Sequence, residues 1–471
     1  MSVGTEIDVS LHIYDTMERQ KVPFVPRTEG EVAMYVCGPT VYDVPHLGHG
    51  RTALTYDVIR RYLEWTGWNV TVASNVTDID DKIINRAESE GRTEPEVAAE
   101  FTKAYDEQME RLDVLAAESR PHATQFIEGM IGIIAELVEL EAAYVVPNKG
   151  VYFSVEGLSD YGRLAGRDLD QLLEDAGQRV DVDAEKRSPL DFALWKSAKA
   201  GEPSWDTPWG SGRPGWHTEC VAMSLSALGP GFDIHGGGDD LCFPHHQNEW
   251  AQVTATGEPF ARYWVHSAMV NVAGEKMSKS LGNFTNLAEA IDTAGPRALR
   301  LLAMQTHYRR AMEMGREALM AASTAIDRLD AFRRRMAAAD IDLTDDETDS
   351  SAVAAFNAAM EDDFGTPIAL DHTFSLVRGA NSALDNGDLT TAGLQARTAL
   401  MLFSVLGIEI GAADQATVSG IDDAEIERLI EQRKEARGGK DFATADQIRD
   451  QLADAGVVLE DTPAGVVWHR T

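Results

Sequence analysis

The chain has 471 residues, 44% of them hydrophobic, enough for two to four domains with real cores. No run of about 18 apolar residues occurs, the opening MSVGTEIDVSLHIYD has no basic or apolar signal region, and 3 cysteines are no disulfide framework. A formal charge of −35, from 42 basic against 77 acidic residues, runs against general nucleic-acid binding. It fits a chain that leaves nucleic acid alone, or one from a salty interior where acidic surfaces keep proteins soluble. A reducing cytoplasm, with no membrane span and no secretory signal, is therefore expected.

Residues 32–51 read VAMYVCGPTVYDVPHLGHGR. The run at 32–36 has the content of a buried strand, Gly38-Pro39 breaks it, and from Leu47 the apolar residues fall at helical spacing (Leu54, Val58, Ile59, Tyr62, Leu63). The order is strand, loop, helix, with Cys37 at the strand end and His46 and His49 at the helix start. A helix N-terminus offers free N–H groups and the positive end of its dipole, which suits a phosphate. Two histidines three apart share a face, and Gly48 between them lets a flat nucleotide approach the backbone. Ordinary capping or surface histidines are the other reading.

WNVTVA at 68–73 reads as a second strand, followed by NVTDIDDK at 75–82. Strands alternating with helices predict a parallel sheet with functional residues at the carboxyl ends of its strands. Thr77, Asp78 and Asp80 then lie where a ligand could be, while Asp81 is read as a cap of the next helix, 82 to about 91. From Pro121 a helix (124–142) leads into YVV, the turn PNKG and VYFSV, a hairpin that reads as an antiparallel insertion. The polar, acidic stretch 171–187 reads as a mobile loop or short helix.

Residues 188–250 are dense in aromatics and glycine, with HGGGDD at 235–240 and FPHHQNE at 243–249. With Pro244 as the first helical residue, His245 and Glu249 fall at i and i+4 on one face. A strand is expected at 263–272, then GEKMSKSLGN with Lys276 and Lys279 among small residues. Beyond 286 the pattern is helical, with an acidic linker at 340–351, a helical module at 352–410 and a second linker at 411–420. The last segment, 421–471, reads as a basic helix (Arg428, Arg433, Lys434, Arg437), a second helix at 443–455 and a short β-like end.

Two sides of a phosphate grip emerge, His46/His49 and Lys276/Lys279, and nucleotidyl transfer needs little beyond such positioning and charge neutralisation. Cys37, Cys220, His245 and Glu249 could hold a metal, although their spacing carries no zinc signature and a core role is the commoner fate of a single cysteine.

HLGH together with KMSKS resembles the signature pair of the class I aminoacyl-tRNA synthetases. YVCGPTVYD, NVTDIDDKI, PGWHTEC, HGGGDDLCFPHHQNE, GEKMSKSLGN and the tail KDFATADQIRDQL are similar to the cysteinyl-tRNA synthetases in particular, from about residue 11 onward. The resemblance implies an α/β fold: a Rossmann-like parallel-sheet catalytic core with a connective insertion, followed by C-terminal helical domains. The implied divisions are the first half of the core (1–120), the insertion (121–215), the second half (216–272), the KMSKS loop and stem-contact helices (273–339), the acidic linker (340–351), the helical module (352–410) and an anticodon-binding domain (421–471).

The implied activity is ATP-dependent activation of L-cysteine to cysteinyl-adenylate and transfer to tRNA(Cys), with Mg2+ accompanying ATP and one zinc ion per chain. The zinc ligands fall on Cys37, Cys220, His245 and Glu249. His46 and His49 fall on the nucleotide-binding histidines and Lys279 on the ATP-contacting lysine, with Lys276 beside it and Gly48 and Asp240 on the nucleotide. Thr77, Trp216 and His235 fall at the substrate pocket, Trp216 by the substrate and His235 on the adenylate or shaping the pocket; a structural role stands beside each. Zinc suits the task because cysteine and serine differ by one atom, which pocket shape separates poorly, while a thiol ionises far more readily than a hydroxyl.

Leu47 replaces the usual Ile of the signature, and Gln247 stands where the family has Glu. Cys242 lies in an apolar run and reads as core; a Cys3His site using it in place of Glu249 is the alternative. The related cysteine ligase of mycothiol biosynthesis and a non-catalytic synthetase paralogue are the rival functions. In the first the C-terminal domains would be idle, and in the second the intact motifs would. Binding tRNA with a net charge of −35 requires local positive charge, for which Arg309-Arg310, Arg333 to Arg335 and Arg428 to Lys440 are candidates beside their reading as solvated helix faces.

Overall fold

The computed structural model describes residues 11–168, 171–173, 186–271, 286–411, 423–439, 441–454, 457–462 and 465–470. It falls into two compact units, Met1–Ile410 and Gly411–Thr471. No helix among the described residues is long and apolar enough to cross a membrane.

In the first unit, β1 (His12–Asp15) and β2 (Gln20–Pro23) form an antiparallel pair, and β3 (Glu31–Val36) leads through the Cys37 loop into α1 (Leu47–Trp65) and β4 (Asn69–Ser74). Helices α2 (Asp81–Glu90), α3 (Glu94–Arg111) and α4 (Ile127–Glu139) precede four short strands, β5 (Ala143–Val146), β6 (Gly150–Phe153), β7 (Phe192–Ser197) and β8 (Gly212–Pro214). These four make their own antiparallel sheet. Then come α5 (Trp216–Leu228), β9 (Phe232–Gly238), α6 (Gln247–Thr256) and β10 (Ala261–Ser267).

Strands β3, β4, β9 and β10 form one parallel sheet in the order β10-β9-β3-β4. From β3 the chain moves outward to β4, whereas from β9 it moves the other way to β10. The β3/β9 boundary is therefore a topological switch point, where the carboxyl ends of two strands open a crevice for ligand. Cys37 follows β3 there, and the glycines of HGGG end β9.

The expected strand at 263–272 is interrupted. After β10 the chain steps over Ala268 and Met269, and β11 (Val270–Asn271) pairs in parallel with β12 (Met312–Glu313). Lys276 and Lys279 lie outside the described residues. Helices α7 (Leu287–Ala294), α8 (Pro296–Met304), α9 (Arg316–Ala338), α10 (Ser350–Glu361), α11 (Thr366–Asp385) and α12 (Leu389–Val405) complete the unit.

The acidic stretch 340–351 does not separate two bodies. Leu54 and Tyr62 of α1 share one core with Phe356, Phe403 and Leu406 from beyond it. Within the stretch Ile341 is buried, and Arg397 donates to the carbonyls of Asp342 (3.1 Å) and Glu347 (3.1 Å). Apolar burial outweighs the local composition, which a sequence pattern cannot weigh.

Asp81 is not the cap of α2. Asp80 takes that role, its Oδ1 accepting from Lys82 N at 2.8 Å. Asp81, one position into the helix, instead pairs with Lys196 (2.7 Å) and Arg213 from the antiparallel sheet, which hold its carboxyl below the usual range against the opposing effect of burial.

The second unit contains α13 (Asp423–Gly438), α14 (Phe442–Asp454) and an antiparallel hairpin of β13 (Val457–Thr462) and β14 (Gly465–Arg470). Ile426, Leu429, Ile430, Ile448, Leu452 and Val457 form its core.

Candidate metal centre and nucleotide site

Three segments converge at the switch point. Cys37 follows β3, Cys220 lies in the first turns of α5, and His245 and Glu249 flank the start of α6. Their ligand atoms lie within 4.8 Å of one another, and all four residues are buried. Regular helix begins only at Gln247; before it Phe243 is extended and the chain winds as a π-turn over Cys242–His246. His245 and Glu249 nevertheless meet, His245 Nε2 lying 3.0 Å from Glu249 Oε1.

The donor set can be tested against zinc. Around a tetrahedral ion with Zn–S of ~2.3 Å and Zn–N or Zn–O of ~2.1 Å, geometry puts two sulfurs ~3.8 Å apart, sulfur and oxygen ~3.6 Å and nitrogen and oxygen ~3.4 Å. The Cys37 and Cys220 Sγ atoms are 3.8 Å apart, and Cys37 Sγ is 3.8 Å from Glu249 Oε1. Those two edges match to ~0.2 Å, while the 3.0 Å between His245 and Glu249 is an edge that would open by ~0.4 Å around an ion. Burial pushes the Cys37 thiol and the Glu249 carboxyl well up. At Cys220 the hydrogen bond with Cys37 lowers the thiol, but burial and Glu249 outweigh it. Several acids packed without a cation resist ionising; a divalent cation reverses that balance. The residues fit zinc.

Behind the ligands stands a layer of histidines. His235 Nε2 lies 2.8 Å from Glu249 Oε2, leaving Oε1 toward the other ligands. His217 Nδ1 is 2.9 Å from His245 Nδ1, and in the tautomer in which His245 Nδ1–H donates to His217, His245 Nε2 is free to ligate. His246 Nε2 is 3.3 Å from Cys37 Sγ, His246 Nδ1 is 2.8 Å from His266 Nε2, and His266 Nδ1 is 2.8 Å from Thr16 Oγ1. Cys37, His235, His246 and Glu249 also bring ligand atoms within 4.8 Å. The two sets share Cys37 and Glu249 and differ in the remaining pair, Cys220 and His245 in one and His235 and His246 in the other.

His235, expected at the substrate pocket, is fully buried, with its ring stacked on Trp264 at 4.5 Å. It reaches the site through Glu249. Trp216 opens α5 and stacks on His245 at 4.1 Å between centroids, roofing the ligand set. Thr77 is buried; its backbone N donates to Pro39 O (3.1 Å), and its Oγ1 accepts from Asn75 Nδ2 (3.1 Å). Asn75 also accepts from Gly38 N at 2.9 Å, and a Cβ on Gly38 would lie 1.8 Å from Asn75 O. Cys242 is half-buried, its Sγ 3.5 Å from Leu164 O, and belongs to neither ligand set.

At the start of α1, His46 is the cap and uses a ring nitrogen for it. Its Nδ1 accepts from Gly48 N (3.1 Å), while His49 Nδ1 accepts from His46 N (3.2 Å), a capping box built from two imidazoles. The rings stack at 3.8 Å. Desolvation lowers the pKa of His46 despite Asp240 and Asp43, and burial with the neighbouring His46 brings His49 down to about 3. Both are therefore neutral near pH 7. With each Nδ1 accepting, the proton sits on Nε2, and each ring keeps one outward N–H donor. A Cβ on Gly48 would lie 2.9 Å from the His46 ring, and one on Gly238 2.4 Å from Asp240 Oδ1. Tyr56 holds the end of β9, its hydroxyl 3.0 Å from Gly237 O and accepting from Gly237 N at 2.6 Å.

Several of the proposed RNA-facing cations have local partners. Arg309 pairs with Asp363 (2.6 Å), Arg333 donates to Ile410 O (2.6 Å), Arg428 pairs with Glu425 (2.5 Å) and Lys434 with Glu431 (3.0 Å).

Asn75, His217, His246 and His266 are not among the residues that the sequence pattern singles out. His246 stands beside His245 in the same motif, but helical spacing selects only one histidine.

A parallel sheet with its site at the switch point and a histidine-capped helix beside it is the catalytic architecture of the class I synthetases. Methionyl-tRNA synthetase of Mycobacterium tuberculosis in complex with methionyl-adenylate shares the fold at a TM-score of 0.59 and 13% identity, over 80% of this chain and 90% of that one. A putative arginyl-tRNA synthetase of Campylobacter jejuni does so at 0.54 and 14% identity, over 82% and 94%. The sequence model of the tRNA synthetases class I (C) catalytic domain matches residues 23–324, that of the DALR domain 355–410, and that of the cysteinyl-tRNA ligase anticodon binding domain 423–468. The cysteine–tRNA ligase of Nitratidesulfovibrio vulgaris is 44% identical over 97% of this chain and 99% of its own length. That of Acinetobacter baumannii is 45% identical over 97% and 98%. The chain belongs to the cysteine–tRNA ligase family of class I aminoacyl-tRNA synthetases.

Proposed function

We propose that this enzyme activates L-cysteine with ATP to cysteinyl-adenylate and transfers the cysteinyl group to tRNA(Cys), using one zinc ion held by Cys37, Cys220, His245 and Glu249. The observation that carries this reading is the gathering of those four ligand atoms within 4.8 Å of one another at the switch point, beside a histidine-capped helix. A zinc ion there supplies a soft Lewis acid that favours a substrate thiolate over a hydroxyl. The chain's own residues do the rest. Trp216 closes one side of the thiol pocket, while Asn75 fixes Gly38 and Thr77 beside Cys37. His235 and His217 orient Glu249 and His245.

In the activation step the cysteine carboxylate attacks the α-phosphorus of ATP, and the bond to pyrophosphate breaks. His46 and His49 meet the charge growing on the phosphates with their Nε2–H groups, helped by the N-terminal dipole of α1. Gly48 and the glycines of β9 leave room for the nucleotide beside Asp240. Lys276 and Lys279 are assigned to the phosphates by their motif, with Mg2+ accompanying ATP. The helical and anticodon-binding families matched beyond residue 355 supply the tRNA contacts.

Cysteine-dependent ATP–pyrophosphate exchange with zinc-loaded protein, repeated with serine, tests this reading. Exchange with cysteine but not serine, lost on chelation, is expected; equal use of serine, or full activity without zinc, overturns it.

A further inference from the structure

Asp363 lies in the turn between α10 and α11 at φ 64°, and Phe364 follows at φ 52°. Two consecutive non-glycine residues in the left-handed region persist only where their surroundings hold them. Asp363 is fully buried and its contacts are dense. Oδ1 accepts from Tyr14 N (2.8 Å) and the Tyr308 hydroxyl (2.6 Å), and Oδ2 from Arg309 Nε (2.6 Å). Its backbone N donates to His12 O (2.8 Å), and His307 Nε2 lies 2.9 Å from its carbonyl.

The same segment, 307–310, is gripped from the other side by Arg51. Its Nη2 donates to the carbonyls of His307 (3.2 Å), Tyr308 (3.3 Å) and Arg310 (2.7 Å). Arg51 Nε and Nη1 are buried with no hydrogen-bond partner among the described residues. The guanidinium therefore depends on those carbonyls. Arg51 stands two positions after His49 in the opening turns of α1. The metal ligands are carried by the β3 end, α5 and the start of α6, and no hydrogen bond among the described residues joins these ligands to Arg51 or Asp363.

We infer that Arg51 and Asp363 form one positioning unit for the nucleotide half of the site, clamping residues 307–310 so that the seating of the α10–α11 turn sets how the His46/His49 end of α1 meets ATP. Both side chains are buried and act through residues 307–310. The inference rests on the activation reading above. It adds that ATP affinity, and not thiol recognition, depends on a buried carboxylate in the helical region.

The test uses full-length, zinc-loaded protein in cysteine-dependent ATP–pyrophosphate exchange. In Arg51→Met and Asp363→Asn the KM for ATP should rise about tenfold, while the KM for cysteine stays within about twofold. Arg51→Lys should recover part of the loss. In the double variant the effects should not multiply, because either change already breaks the clamp. Tyr308→Phe removes one hydroxyl from Asp363 with little change of shape, and should raise the ATP KM about threefold even if Asp363→Asn fails to fold. Cobalt-substituted Arg51→Met should keep the cysteine-induced absorption change of the parent. Unchanged ATP KM in the folded variants, equal rises for ATP and cysteine, or multiplying effects would each overturn the inference. A parent protein without exchange would instead overturn the activation reading itself.

Discussion

The proposed thiol half-site and the proposed nucleotide half-site are built on opposite physical plans. The candidate metal ligands Cys37, Cys220, His245 and Glu249 are buried, as are the histidines His235 and His246 behind them, with Trp216 and His217 partly so at the edge. On the nucleotide side His46 is exposed and His49 partly so, and the contact surface is backbone N–H, glycine and neutral imidazole. Choosing sulfur over oxygen requires soft ligands held in a low dielectric, where a misplaced ligand cannot be replaced by water. Phosphates must enter and leave at every turnover, so their site favours exposed donors on a rigid helix end. On the proposed reading, selectivity resides in the buried half and access in the open half.

Removing the buried half should have the largest effect. Cys220→Ser should lose bound zinc and lower cysteine-dependent exchange by at least about a thousandfold, whereas His246→Gln should retain close to stoichiometric zinc by metal analysis. The reverse pattern would assign the ion to the alternative set that contains His235 and His246. Next in size, His235→Ala frees Glu249 Oε2, and zinc affinity measured against a competing chelator should fall about 10- to 100-fold.

On the open side, His49→Ala should lower kcat for exchange by about a hundredfold while leaving cysteine affinity unchanged. His49 also carries a pH signature. Its folded pKa of about 3 lies below the ordinary value of 6.5, so the unfolded chain binds the extra proton first. The stability it contributes is complete above pH 6.5 and declines as pH falls toward about 3. Denaturation of His49→Gln at successive pH values should show a shallower decline across that window; an identical slope would mean that the ring is not held neutral. Smallest of all, Cys242→Ser should leave zinc content and cysteine affinity within about twofold, since its sulfur has one weak contact. A large loss of zinc would restore the Cys3His alternative.

Much of this site is legible in the amino-acid sequence. The strand–loop–helix around Cys37 is written in local periodicity, as are the antiparallel insertion and the i, i+4 relation of His245 and Glu249. The motifs pointed to the family, and the resemblance supplied the ligand set proposed above. The inner layer was hidden because it comes from packing: His266 meets His246 across an element boundary, and Asn75 bonds to Gly38 across the sheet. The assignment of Asp81 as a cap failed for a related reason. Neighbouring aspartates look equivalent in sequence, while the backbone turn places only Asp80 at the cap and leaves Asp81 to the cations of another sheet. The acidic linker misled because composition records charge and not what the flanking helices bury.

By itself the sequence determined which elements form, which residue types carry the chemistry and to which family the chain belongs. These follow from short-range periodicity and from motifs that span a few residues. Only the tertiary structure decided that Cys37 and Cys220, 183 positions apart, stand 3.8 Å from each other. It likewise decided that the end of α1 is tied through Arg51 and residues 307–310 to a buried aspartate in the helical region. Those relations arise from the crossing order of a parallel sheet and from burial, which act over distances that no local pattern records.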